Sequence, residues 1–142
     1  MLSSPLVILD TNIIFSAMLS SHSGFAAIIL TSDSEFFVCE SVLVELFKHK
    51  EKIIKAGKLS EDEVVRLYYA ILRRVSVYKE DLIARENRRA AYSLCHDLDE
   101  ADTPHVALTL ELDGVLWTGD KRLREGLKKE GFDMFYQPAK EA

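Results

Sequence analysis

The chain has 142 residues, 48% of them hydrophobic and 29% charged, with a formal net charge of −5. That length suits a single domain with a proper core, and that composition excludes disordered, fibrous and disulfide-scaffold classes. The acidic balance argues against coating nucleic acid through bulk charge. Positive charge is gathered locally instead, at Lys48, Lys50, Lys52, Lys55 and Lys58, at Arg85, Arg88 and Arg89, and at Lys121, Arg122 and Arg124.

Pro5 to Leu9 is a short apolar run ending at Asp10, which predicts a buried parallel strand. Helices are expected over 11–19 and 23–30, the second capped by Ser23. Glu35 to Cys39 is β-prone and predicts the second strand. From Ser41 to Ala56, Val42, Leu43, Leu46, Phe47, Ile53 and Ile54 form one helical stripe, with Ser41 as cap and Gly57 as stop. Ser60 and Glu63 have capping-box spacing, and the helix they open carries Val64, Leu67, Tyr68, Ile71 and Leu72 on one face. Val75 to Tyr78 reads as a third strand, 82–96 and 101–112 as helices, and Val115 to Thr118 as a fourth strand after the break at Gly114. Residues 121–129 read as a helix ended by Gly131, and Phe132 to Tyr136 as a last strand. Strands alternating with helices predict an α/β sandwich with a mainly parallel sheet. One domain is expected over 1–137, with a frayed tail over 138–142.

Cys39 and Cys95 lie far apart with no metal-ligand spacing and read as free or buried thiols of a reducing cytosol. The first apolar run has no basic region before it and is interrupted by Asp10 and Asn12. No stretch reaches membrane-spanning length, so a cytoplasmic protein is expected.

The chemistry is carried by four acids: Asp10, Glu45, Asp102 and Asp120. Three follow or sit within strongly apolar stretches, where a carboxylate is costly unless paired, hydrogen-bonded or metal-bound. Ligands of open parallel sheets bind beyond the carboxyl ends of strands, where Asp10 and Asp120 are predicted. Glu45 belongs to the helix after the second strand, and Asp102 to a helix N-terminus whose amides favour an anion. A carboxylate cluster repels itself unless a divalent cation neutralises it, and hard oxygen ligands select Mg²⁺ or Mn²⁺. Such a centre hydrolyses phosphodiesters. Thr11, Asn12 and Thr118 are short polar supports, Asp99 lies about one helical turn before Asp102, and Lys121 and Arg122 are placed to hold a phosphate. Each acid alone also fits a turn or helix cap; the functional reading rests on the set.

In Val7-Ile-Leu-Asp10-Thr-Asn12, Val42-Leu-Val-Glu45-Leu, Asp99-Glu-Ala-Asp102-Thr-Pro-His-Val-Ala-Leu108 and Leu116-Trp-Thr-Gly-Asp120-Lys-Arg-Leu, taken in order, the chain resembles the PIN domain family (named for the PilT N-terminus), which includes VapC-type toxins. The resemblance covers nearly the whole chain. It implies a three-layer α/β/α fold, with Asp10, Glu45, Asp102 and Asp120 as the metal-site quartet. Asn12 and Thr118 match the family's polar supports, and Asp99 an additional acid that varies. It further implies Mg²⁺- or Mn²⁺-dependent ribonuclease activity on single-stranded or looped RNA, homodimers and, for toxin members, an antitoxin protein. The family often has Asn before the last Asp; Gly119 stands there here, which suggests a more permissive loop.

Three rival readings remain. A non-catalytic RNA-binding or interaction module of the same fold would bind RNA without metal-dependent cleavage. A phosphatase using Asp10 as a phospho-aspartate nucleophile lacks the second Asp two residues on, where Asn12 stands. A response-regulator-like receiver is disfavoured because no paired acids follow the first strand and Asp102 and Asp120 come late.

Overall fold

The computed structural model describes residues 5–19 and 24–138. Four strands, β1 (Leu6–Leu9), β2 (Glu35–Cys39), β3 (Val75–Tyr78) and β4 (Val115–Trp117), form one sheet in the order β3-β2-β1-β4, parallel throughout. Central β1 is apolar at every position and needs cover on both faces, as parallel strands do. Ile8 pairs with Phe37 on one side and Leu116 on the other. Side chains alternate across a strand, so Val7, Leu9, Phe36, Val38 and Trp117 enter one core while Ile8, Cys39 and Leu116 enter another. The first core is closed by α1 (Thr11–Leu19), α2 (Gly24–Thr31), α3 (Glu40–Lys48), α4 (Lys50–Ala56) and α5 (Glu61–Leu72). The second is closed by α6 (Arg85–Cys95), α7 (Thr103–Leu112) and α8 (Lys121–Lys129). This is the three-layer α/β/α arrangement expected.

Local signals explain most elements. Ser60 accepts from the Glu63 amide at 3.2 Å and the Glu63 carboxylate accepts from the Ser60 amide at 3.1 Å, the predicted capping box, and α5 buries Val64, Leu67 and Ile71. The predicted Ser23 cap lies outside the described residues. Four expectations need correction. The stripe from Ser41 to Ala56 is two helices, interrupted at His49 (φ −107°, ψ 16°), and α3 begins after Cys39 rather than at Ser41. The helix expected over 82–96 starts only at Arg85, after a 3-10 turn at Glu80–Leu82. The helix expected over 101–112 starts at Thr103, after a 3-10 turn at Glu100–Asp102. The last strand shrinks to a single bridge between Leu116 and Phe135, supported by amide bonds of 2.8 Å on either side of it.

Gly114 ends the crossover into β4. The left-handed residue of that turn is Asp113 (φ 50°), so Gly114 is required for a different reason. A Cβ there would lie 2.5 Å from the Leu6 carbonyl oxygen and 2.8 Å from Ile8 Cδ1. Neither backbone nor a fully buried strand residue can yield, so Gly114→Ala should destabilise the fold by about 2–3 kcal/mol. Urea denaturation monitored by circular dichroism reads this directly; an unchanged midpoint would contradict the close approach.

Candidate active site

From β1 the chain builds outward to β2 and β3, then returns to place β4 on the other side of β1. The strand order therefore switches between β1 and β4, the place where open parallel sheets bind ligands beyond the carboxyl ends of their strands. Asp10 follows β1 directly, and Asp120 lies three residues past β4. α7, entered through Asp102, packs across β1, β2 and β4. Topology thus carries acids from three distant segments to one edge.

Asp10 is 3% exposed, and its Oδ1 accepts from the Ile13 amide at 2.9 Å. Asp120 caps α8, accepting from the Leu123 amide at 3.0 Å. Buried Thr118 accepts the Asp120 amide at 3.1 Å through Oγ1, so it shapes the loop rather than bonding a carboxylate. Capping occupies one carboxylate oxygen and leaves a second with acceptor capacity, so the cap and ligand readings coexist at both residues. Asp102 is different. It stands at the cap position of α7 but makes no side-chain cap bond. Pro104 occupies one of the positions whose amide a cap would use and has no N–H to give. The expectation that helix amides orient Asp102 is thereby corrected: among the described residues its carboxylate has no hydrogen-bond or ion-pair partner. Asp99 caps the preceding 3-10 turn through the Ala101 amide at 3.0 Å.

The charges meet at Asp102. Burial, followed by the negative charges of Asp99, Asp10 and Asp120, pushes its carboxyl up to about 7. Among the described residues, no lysine or arginine lies within ion-pair distance of any of these four acids. The same surroundings, with burial dominant, push the Cys95 thiol up to about 11, and burial with Glu80 and Glu40 pushes Cys39 up to about 12. Both cysteines are free and buried, as expected, and neither is a thiolate nucleophile.

Glu45 is not among the charges acting on Asp102. Its side chain is 44% exposed and turned to Lys48 at 3.9 Å and His49 at 3.5 Å. Thr11 is half-buried and Asn12 exposed at the start of α1. Lys121 and Arg122 are exposed in the first turn of α8, where the helix dipole disfavours cations. Gly119 does not adopt a positive φ, and a Cβ there would meet open space, so the loop does not depend on glycine.

The donor set fits a hard divalent cation in kind: clustered carboxylates, no cationic partner, and an uncommitted Asp102. Among the described residues, no three acidic, histidine or cysteine side chains converge tightly enough to hold an ion as they stand. Loading therefore requires rotation of side chains, for which Asp102 and Glu45 have freedom.

One residue escaped the sequence reading. His105 is 4% exposed and near enough to Asp10 for its charge to be felt; burial lowers its pKa, Asp10 opposes that, and its Nδ1 has no hydrogen-bond partner. The available signal was its place three residues after Asp102, just before the apolar run Val106–Leu108.

No curated protein matches the chain. The PIN domain family model matches residues 8–137, taking in the end of β1, the other three strands and each of the acids above. With that span, the parallel sheet and the acids at its edge, the chain belongs to the PIN domain family, whose members are generally nucleases.

Proposed function

We propose that the chain is a metal-dependent endoribonuclease that hydrolyses phosphodiester bonds of single-stranded or looped RNA, of the kind that serves as the toxin of a toxin–antitoxin pair. The observation that carries this reading is the gathering of like charge at Asp102, a carboxyl pushed up to about 7 by burial first and then by Asp99, Asp10 and Asp120, with no lysine or arginine among the described residues within ion-pair distance. Asp10, Asp102 and Asp120 would hold Mg²⁺ or Mn²⁺, with Glu45 joining once it leaves Lys48 and His49. When bound, the ion supplies Lewis-acid polarisation of the phosphoryl group and a lowered pKa for water. Asp10, fixed through Ile13, sets the position of the centre. Thr118 fixes the loop that presents Asp120. Lys121 and Arg122 bind the phosphate and offset the charge that grows on its oxygens. An unpaired strand suits a recessed acidic edge better than a duplex does. A phospho-aspartate route through Asp10 is disfavoured, because that carboxylate is 3% exposed and already bonded to the Ile13 amide.

A homodimer and a protein antitoxin belong to the same proposal. Exposed Phe47, Val65 and Tyr69 beside an apolar groove are a surface suited to such contacts.

Titrating Mn²⁺ while following thermal stability and cleavage of single-stranded RNA tests the reading. Stabilisation with metal-dependent cleavage is expected; RNA binding with no cleavage under any divalent ion would favour the non-catalytic module. Replacing Lys121 and Arg122 together by alanine should raise KM about tenfold and flatten its salt dependence, since phosphate contacts are screened by salt. An unchanged KM would remove both residues from the phosphate site.

A further inference from the structure

We propose that the cavity between α6 and the 99–104 turn is a nucleobase subsite that prefers guanine beside the cleaved bond, an inference that rests on the ribonuclease reading for its substrate. The cavity measures about 320 Å³ and is lined by Glu80, Ile83, Arg88, Tyr92, Glu100 and Thr103, among others. Glu100 and Thr103 flank Asp102 in sequence, so the cavity begins where the acid cluster ends. Arg88 and Tyr92 lie one helical turn apart on α6 and line two depressions. One is this cavity; the other is an open basic shelf completed by Arg85, Arg89 and Ser93. A strand crossing that ridge would place a base in the cavity and its neighbouring phosphates on the shelf.

Unpaired bases are held by stacking on aromatic rings and guanidinium planes. Tyr92 is 51% exposed, and His96 extends its platform, stacked at 5.5 Å and 24°. Its hydroxyl donates to Glu100 at 3.3 Å, which ties the ring to the turn bearing Asp102. Base choice follows from Glu80. Its backbone is anchored by the Glu40 carboxylate, which accepts the Glu80 amide at 3.2 Å, and among the described residues its own Oε1 is closed off from solvent without a hydrogen-bond partner, so a turn of this cavity-lining side chain toward donors on a bound base relieves an unsatisfied acceptor. An ionised carboxylate only accepts. Guanine alone presents two adjacent N–H donors on its Watson–Crick edge. Uracil would set carbonyl oxygens against Glu80, and adenine and cytosine each place a ring acceptor beside their amino group.

The test is binding of fluorescent hexanucleotides by anisotropy in Ca²⁺, all-uridine against uridine with one central guanosine, together with cleavage-site mapping in Mn²⁺. Wild type should bind the guanosine oligomer about tenfold more tightly. Glu80→Gln should reduce that ratio below twofold. Tyr92→Ala should weaken both oligomers about tenfold, and Tyr92→Phe should restore binding, with circular dichroism checking each fold. Equal binding of the two oligomers, a ratio unchanged in Glu80→Gln, or no RNA binding at all would overturn the subsite. Cleavage without base preference would sink the subsite and leave the nuclease standing. Guanosine-selective binding through Glu80 with no cleavage under any metal would do the reverse.

Discussion

Asp10→Asn should lower metal-dependent RNA cleavage on the order of 10³-fold or more while leaving the protein folded. The asparagine side-chain oxygen can still accept from the Ile13 amide, so the start of α1 keeps the bond that Asp10 Oδ1 now makes at 2.9 Å. What disappears is the charge at the position fixed deepest in the site. Asp10→Ala would be a poorer probe. It also strands a buried amide, at a cost of about 1–2 kcal/mol, and mixes a folding defect with a catalytic one. Cleavage of a single-stranded RNA in Mn²⁺, after circular dichroism confirms the fold, reads the effect. Full activity in Asp10→Asn would refute the assignment of the site.

Asp102→Asn should raise the stability of the metal-free protein, by an amount that grows as pH rises from about 4 and is complete above about 7. Its carboxyl is lifted from 3.8 to about 7 by burial and by Asp99, Asp10 and Asp120. Between those values the folded state holds a proton that the unfolded state has released, so stability falls as pH rises through the window. Above about 7 the penalty is fully present; below about 4 it vanishes. Because Asp102 is only partly buried, solvent screening reduces the effect to about 1–2 kcal/mol. That corresponds to a melting temperature about 3–6 °C higher for Asp102→Asn at pH 8, with no difference at pH 4. Added Mn²⁺ should stabilise wild type and close the gap. An unchanged or lower melting temperature for Asp102→Asn at pH 8 without metal would count against clustering of the acids.

The apolar runs ending at Asp10 and near Asp120 made β1 and β4 legible, because a strand buried on both faces has no polar alternation to blur it. The same runs located the acids at strand ends, and the sheet order then brought Asp10, Asp99, Asp102 and Asp120 within reach of one another. The start of α7 was legible in principle: Pro104 favours the first turn, which points to a helix beginning at Thr103 rather than Ala101. The break at His49 was not. Apolar positions run through it in helical register, and its ring instead packs edge-on against Phe15 at 5.8 Å, a contact only the folded chain supplies. Glu45 shows the same limit at side-chain level. Its segment and helix were readable, but its turn toward Lys48 and His49 depends on where α3 ends. His105 has no ligand-spaced partner in the sequence, and only the fold buries its single ring near the charge of Asp10. The Tyr92–His96 stack is an i,i+4 pair that helical spacing alone encodes, whereas the cavity beside it needs α6 placed against the 99–104 turn, which no spacing in the sequence encodes.

A crystal of the protein soaked in MnCl₂, with anomalous data collected at the manganese edge, tests the central claim most directly. An anomalous peak bounded by the carboxylates of Asp10, Asp102 and Asp120 is the predicted result. A soaked crystal with no peak at that site, or with manganese held elsewhere while these acids stay apart, would contradict it.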